Sequence, residues 1–472
     1  MEASPSAMLK LLVPKTPLIM KTALFHTLSW SDTSTKWDLR TELTIKVLRD
    51  MLGPNGKRSP ISKLQNATIN DPGVKGKVWA SKVKIDVPEE DDVRQMLFKA
   101  IEDMGTRTEV WTKPEARPLE AEWSGYREGV PDNAPEPAGM SEQEKYDNIV
   151  KSTSSKVTIL YFHGGAMYLL DPSTYRPVTS KLAKASGGRV FSVRYRLAPQ
   201  NPFPAALLDA LTAYLSLLYP PPSAPHAPIP ANEIVFGGDS AGGCLCAALL
   251  QFLLHIHRTT PPGQTPEVHF HGKIVPIPLP AGVAMTSPWL DVTRSLPSLE
   301  TNAKYDYLPP PSHTQHMAYP SDSIWPVSPP RADLYCEGSA LTHPLVSPLA
   351  ACDWTNAPPL FFSVGQEMLY DEDAVLAKRV VEQGGKVVWR EFEAMPHCFA
   401  MMLDTLPQAD VHLEEYGAFC KAVVGKWGEG VSTNGVVIKA RGGERETVDV
   451  GGLTQLDDGE VEEYMRGAKE RL

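Results

Sequence analysis

Between residues 157 and 392, short runs of β-branched and aromatic residues alternate with helix-patterned segments, and this alternation leaves few folds open to the chain. The runs cover residues 157–162, 189–195, 234–237, 283–285, 360–364 and 387–392. Between them, residues 178–186, 205–218, 242–256 and 371–383 place apolar side chains at three- and four-residue steps. Short strands separated by helices pair in parallel and are covered on both faces, so the expected class is α/β with a mostly parallel central sheet.

The flanks of this region read differently. Residues 1–75 form helical pieces, notably 36–52, that need a surface to pack on. Residues 78–87 and 106–113 suit strands, and a polar, Pro-rich linker follows to about residue 155. The core then occupies residues 76–296 and 349–428. It is interrupted at 297–348 by an insertion dense in Pro, Tyr, Trp and Ser, and a loop of that length in a compact domain is usually a lid or a binding loop. Residues 429–472 are a Gly-rich polar extension ending in an acidic-then-basic helix, docked or frayed.

Composition narrows the partners. A net charge of -10, a pI near 5.7 and the absence of a Lys/Arg-rich block exclude a nucleic-acid face. Cys244, Cys246, Cys336, Cys352, Cys398 and Cys420 lack paired CxxC spacing, so free thiols are expected rather than a zinc site. His255 with His257, and His269 with His271, are spaced two apart and do not share a helix face. No metal or cofactor is called for. Residues 8–28 are apolar in places but are broken by Pro14, Lys15, Pro17 and Lys21, which suits neither a signal peptide nor a membrane span. The expected location is the cytoplasm, with peripheral contact of residues 8–28 on an intracellular membrane as the alternative.

The chemistry gathers at the ends of the runs. Gly238-Asp239-Ser240-Ala241-Gly242 lies between the apolar run 234–237 and a small-residue helix. A serine on so sharp a strand-to-helix turn has its hydroxyl held clear of the sheet, and flanking glycines remove Cβ atoms that would collide. Ser240 is the candidate nucleophile. Upstream, the run 157–162 ends in His163-Gly164-Gly165-Ala166, a turn whose backbone N–H groups, with that of Ala241, suit an oxyanion hole. A serine hydroxyl needs a base, and the base needs an acid to orient it. His397 directly follows the run 387–392 and is the candidate base. Glu367 comes first after the run 360–364 and is the candidate acid, with Asp371 second, since Asp371 to Asp373 also suit the first turn of the next helix.

These blocks resemble the hormone-sensitive-lipase-like family of α/β-hydrolases, which includes arylacetamide deacetylases and fungal steryl acetyl hydrolases. The resemblance rests on His163-Gly164-Gly165-Ala166, Tyr195-Arg196-Leu197-Ala198-Pro199, Phe203-Pro204-Ala205-Ala206, Gly238 to Gly243, His343-Pro344 with Ser347-Pro348, and the Glu367 and His397 pair. It implies an α/β-hydrolase core with a cap made from the N-terminal helices and the insertion, a structural His163, and oxyanion donors at Gly165, Ala166 and Ala241. Two departures stand out: Ala166 replaces a usual glycine and narrows the mouth of the hole, and Glu367 replaces a usual aspartate. Gln200 replaces a common glutamate. The expected activity is hydrolysis of short-chain or acetyl esters of a bulky apolar alcohol, because the cap segments are rich in Tyr, Trp, Met and Pro. Transacylation, cyclisation or condensation with the same residues is the alternative, and a non-catalytic small-molecule receptor the more distant one.

Overall fold

The structure is a computed structural model that describes residues 12–53, 58–314, 318–425 and 429–471. Its sheet is built from β1 (Val78–Ile85), β2 (Leu119–Tyr126), β3 (Thr158–Phe162), β4 (Arg189–Arg194), β5 (Ile234–Asp239), β6 (Gly282–Thr286), β7 (Leu360–Gly365), β8 (Val387–Phe392), β9 (Asn434–Ile438) and β10 (Arg445–Val448). The 10-stranded order is β1-β2-β4-β3-β5-β6-β7-β8-β9-β10. Neighbours from β4 to β9 run parallel, while β1, β2 and β10 pair antiparallel. Every residue of β3, β5, β6 and β7 is buried, because helices cover both faces, and this is why those strands read as mainly apolar runs.

The helices that matter most for the site are α1 (Thr16–Thr27), α2 (Leu39–Leu52), α3 (Ile61–Thr68), α4 (Pro172–Ser186), α5 (Ala205–Leu218), α6 (Ala241–Thr259), α7 (Tyr370–Glu382) and α8 (Pro407–Val423). Side chains of α5, α6 and α7 fill the larger core on one face; those of α4 and α8 fill the core on the other. A third, smaller cluster joins Trp37, Ile45, Tyr307, Phe392, Met395, Phe399, Leu403 and Ile438, and so brings both ends of the chain against the segment that follows β8.

Two sequence expectations are corrected. Residues 106–113 form no strand; the second strand is β2, inside the stretch expected to be linker. Its acidic residues disguised it. Leu119, Ala121 and Trp123 face inward, but Glu122 is also buried, because Arg176 pairs with it at 2.7 Å. The extension beyond residue 429 is likewise more than a docked or frayed end, since β9 and β10 complete the sheet. Its closing helix, α9 (Asp458–Lys469), is tied back by Asp458 to Arg379 at 2.6 Å.

The N-terminal helices and the insertion meet over the C-terminal ends of the strands. Ser62 N–H donates to Asp322 Oδ2 at 2.8 Å, and Tyr168 and Tyr319 share a hydroxyl bond of 2.8 Å. The Arg49 guanidinium of α2 binds the carbonyls of Ala303, Lys304 and Asp306. Gln200 acquires a role here: its amide donates to Gln65 Oε1 of α3 at 2.7 Å, fastening the N-terminal segment to the core.

Candidate active site

In open α/β sheets, ligands bind beyond the carboxyl ends of the strands where the strand order reverses. Here that point lies between β3 and β5, the neighbours from which the chain proceeds to opposite sides. The turn after β3 carries Gly164-Gly165-Ala166, and the turn after β5 carries Ser240.

Ser240 sits at φ 51 and ψ -120, a strained conformation for a residue with a side chain, directly before α6. The turn tolerates this because its neighbours are small. A Cβ on Gly242 would come within 1.9 Å of the Phe162 carbonyl oxygen. Ser240 is half-buried, and its hydroxyl makes no hydrogen bond among the described residues.

His397 and Glu367 follow β8 and β7, and both are buried. His397 Nδ1 lies 2.7 Å from Glu367 Oε2. The other carboxylate oxygen accepts from Gly365 N–H at 3.3 Å. The remaining acids of this loop have other partners or none: Asp371, in the first turn of α7, accepts from Ser298 N–H at 2.8 Å, Glu372 accepts from Leu290 N–H at 2.6 Å, and Asp373 has both oxygens buried without a partner. Burial pushes the Glu372 and Asp373 carboxyls well above the usual range. Burial disfavours a charged His397, but Cys398 and the Glu367 carboxylate outweigh it and raise the imidazole well above its ordinary value.

Cys398 links the histidine loop to the serine turn. Its Sγ is 3.5 Å from His397 Nε2 and 4.0 Å from Asp239 Oδ2. Its N–H donates to Ser287 Oγ at 3.2 Å. Asp239 in turn fixes the turn after β3, accepting from Tyr161 OH at 2.7 Å, Tyr175 OH at 2.8 Å and Gly164 N–H at 3.1 Å. Burial pushes Asp239 up to about 6, against the pull of the two hydroxyls.

This geometry corrects one expectation. Gly164 N–H points at Asp239 and Tyr175, so it is committed to holding the turn and not to an oxyanion. A Cβ there would fall 2.3 Å from Asp239 Oδ2. Gly165, Ala166 and Met167 follow at φ 108, 52 and 65. Such a run of positive φ makes a concave nest of amides. The amides of Gly165, Ala166 and Ala241 donate to no loop or side-chain acceptor among the described residues. His163 is held beneath them, stacked on Tyr195 at 4.4 Å, and burial lowers its pKa to about 4, so it is neutral.

The remaining motif residues serve the scaffold. Arg196 pairs with Asp209 at 2.8 Å, His343 Nε2 lies 2.9 Å from the Ile101 carbonyl oxygen, and Ser347 Oγ accepts from Val292 N–H. Among the described residues, no group of His, Cys, Asp and Glu is arranged to hold a metal ion; His257 faces the Ile277 carbonyl and His269 faces Asp92, each at 2.8 Å.

Several supporting residues carried no sequence signal. Tyr161 reads only as a strand position, and Tyr175 lies outside the helical pattern of residues 178–186. Asp306 of the insertion, fully buried, accepts from Met368 N–H at 3.1 Å, beside Glu367, and the Tyr307 ring lies 6.3 Å from that of His397. Trp37 Nε1–H donates to the Ala394 carbonyl at 2.7 Å, three residues before His397. Lys36 and Ala440 N–H both bind the Glu393 carboxylate.

The profile of a family with the α/β-hydrolase fold matches residues 159–401 of this chain. The chain belongs to that family. Within it, this α/β-hydrolase is 31% identical over 270 residues to an acetyl-hydrolase of Streptomyces hygroscopicus, covering 57% of this chain and 77% of that protein. It is 28% identical over 280 residues to an esterase of Acinetobacter venetianus, covering 59% and 78%. Among solved structures it is similar to a hormone-sensitive lipase from a metagenome library, at 25% identity and a TM-score of 0.50, over 82% of this chain and 99% of that one. It is a hormone-sensitive-lipase-like α/β-hydrolase and a carboxylic-ester hydrolase.

Proposed function

We propose that this α/β-hydrolase cleaves short-chain esters of a bulky apolar alcohol through an acyl-enzyme on Ser240. The observation that carries the proposal is the placement, at the carboxyl ends of β5, β7 and β8 in one sheet, of a serine in a strained turn and a buried histidine bonded to a carboxylate at 2.7 Å. His397 takes the Ser240 proton as Oγ attacks the ester carbonyl, and Glu367 fixes the imidazole tautomer and stabilises the imidazolium. The amides of Gly165, Ala166 and Ala241 receive the developing oxyanion. His397 returns its proton to the leaving alcohol, and water then releases the acid. The hydrogen bond between nucleophile and base forms when substrate binds, since catalytic hydrogen bonds are often long or misaligned in the free enzyme.

Ala166 supports a short acyl group. At φ 52 its Cβ stands in the oxyanion turn where a glycine would leave space. A series of nitrophenyl esters from acetate to octanoate is expected to show kcat/KM falling by at least about 10- to 200-fold, the range that a single methylene too many imposes in a tight pocket. A faster octanoate would overturn the assignment. Ala166→Gly keeps the amide and removes the Cβ, so it is expected to flatten this series. It should also raise stability by about 1 kcal/mol, because alanine is strained at positive φ.

The Trp37 bond to Ala394 supports a part for the N-terminal segment in placing His397. Trp37→Phe keeps the ring in its cluster but leaves a carbonyl without its donor. Unfolding by denaturant is expected to show a loss of about 1–3 kcal/mol. Steady-state kinetics should show a several-fold lower kcat at unchanged KM.

A further inference from the structure

Helix α1 is built the wrong way round for a water-facing helix. Its inward side mixes polar groups with the half-buried Leu18, Ile19 and Ala23: Thr22 is buried, and His26 Nδ1 lies 2.6 Å from the buried Glu42. Its outward side is apolar. Met20, Leu24 and Leu28 stand four residues apart on one stripe, exposed to 67%, 55% and 44%, and Val13, Phe25 and Trp30 are exposed around them. A surface helix normally shows the reverse pattern, and a contiguous exposed apolar patch marks a contact with something apolar.

The charge of this segment says what that contact is. Between residues 3 and 31 the sequence holds no Asp or Glu, although the whole chain carries a net charge of -10. Lys15 is paired with Asp50, whereas Lys21 lies over the Phe25 ring at 5.5 Å, beside the apolar stripe. A two-fold contact with a second copy would set Lys21 close to its own image. An anionic surface attracts it, and the protruding side chains need a soft medium rather than a shaped groove. A helix of 12 residues spans about 18 Å, and no helix among the described residues is long and apolar enough to cross a membrane.

We propose that residues 13–30 are a docking surface for an anionic lipid bilayer, with α1 lying flat in the headgroup region and Trp30 at the interface. Of the segment expected to make membrane contact, residues 8–11 lie outside the described residues. Lysine and apolar side chains then act together, the one drawing the protein to the surface and the others inserting. The placement suits an enzyme for apolar esters, because α1 packs on α2, and Arg49 of α2 holds the insertion at Asp306, next to Tyr307 and His397. The docking itself does not depend on which residues perform catalysis.

The test is co-sedimentation of the full chain with vesicles made of two parts phosphatidylcholine to one part phosphatidylserine, compared with pure phosphatidylcholine. Wild type is expected to pellet with the anionic vesicles only, and Met20→Glu/Leu24→Glu to lose about tenfold or more of that binding. Trp30→Ser, a milder change at an exposed site, should lose part of it. Lys21→Glu should lose most of the difference between the two lipid mixtures. All variants should keep wild-type turnover of nitrophenyl acetate in solution, which separates failure of docking from failure of the catalytic reading. Wild type remaining in the supernatant, or the double variant pelleting equally, would overturn the proposal. So would a wild-type dimer on size exclusion that the double variant converts to monomer without any vesicle binding, which would make a second copy the occupant.

Discussion

Replacing Ser240 by alanine is expected to lower kcat for nitrophenyl acetate by about 10⁶-fold and to abolish labelling by a fluorophosphonate probe, with the melting temperature unchanged. The kinetic loss is large because the acyl-enzyme cannot form without Oγ, and the other groups then retain only what the oxyanion amides and substrate binding supply. Stability should hold for two reasons. The Ser240 hydroxyl makes no hydrogen bond among the described residues, so its removal leaves no partner unsatisfied. The φ of 51 is as demanding for alanine as for serine. Turnover within tenfold of wild type would mean that another group attacks the ester.

The strands flanking the site could be read in the sequence for the same physical reason that the site works. β3, β5, β7 and β8 are central and parallel, covered on both faces, so their side chains are mostly apolar, Arg390 and Glu391 of β8 aside, and stand out. Peripheral strands are governed by their own partners instead. β2 carries Glu120 and Glu122, and only the distant Arg176 makes the second of these tolerable in the interior. β9 begins with Asn434 and Gly435, and β10 has exposed residues, so neither stands out from a polar tail.

The same division holds within the site. Ser240, Glu367 and His397 each follow a central strand, so chain order and the strand ends suffice to nominate them. What surrounds them is set by contacts that sequence spacing does not encode. Trp37 reaches Ala394 across 357 positions, and Asp306 reaches Met368 from an insertion without regular pattern. The Gly164 amide looked like an oxyanion donor because the turn is glycine-rich. Which way that amide points was decided by Asp239, a residue the motif places beside the nucleophile without saying what its side chain holds.

The second large effect concerns the acid. Glu367→Gln is expected to reduce kcat by about 10⁴-fold, since a neutral amide neither fixes the tautomer of His397 nor stabilises the imidazolium that forms during attack. Asp371→Asn should stay within a few-fold of wild type, because Asp371 accepts from Ser298 at the start of α7 and not from the histidine. The reverse outcome would move the acid to Asp371. The pH profile gives an independent check. In the wild type, burial disfavours the imidazolium, but Cys398 and the Glu367 carboxylate raise the His397 pKa well above its ordinary value. A general base acts in its neutral form, so wild-type kcat/KM should rise with pH through that elevated pKa, above the usual histidine range. The Glu367→Gln substitution removes the negative charge while leaving the burial. The imidazolium then loses its counter-ion, its pKa falls, and the rising limb moves to lower pH even as the plateau drops. A limb that stayed in place after Glu367→Gln, or moved to higher pH, would show that Glu367 is not what raises His397, and Cys398, whose Sγ lies 3.5 Å from Nε2, would be the next to test.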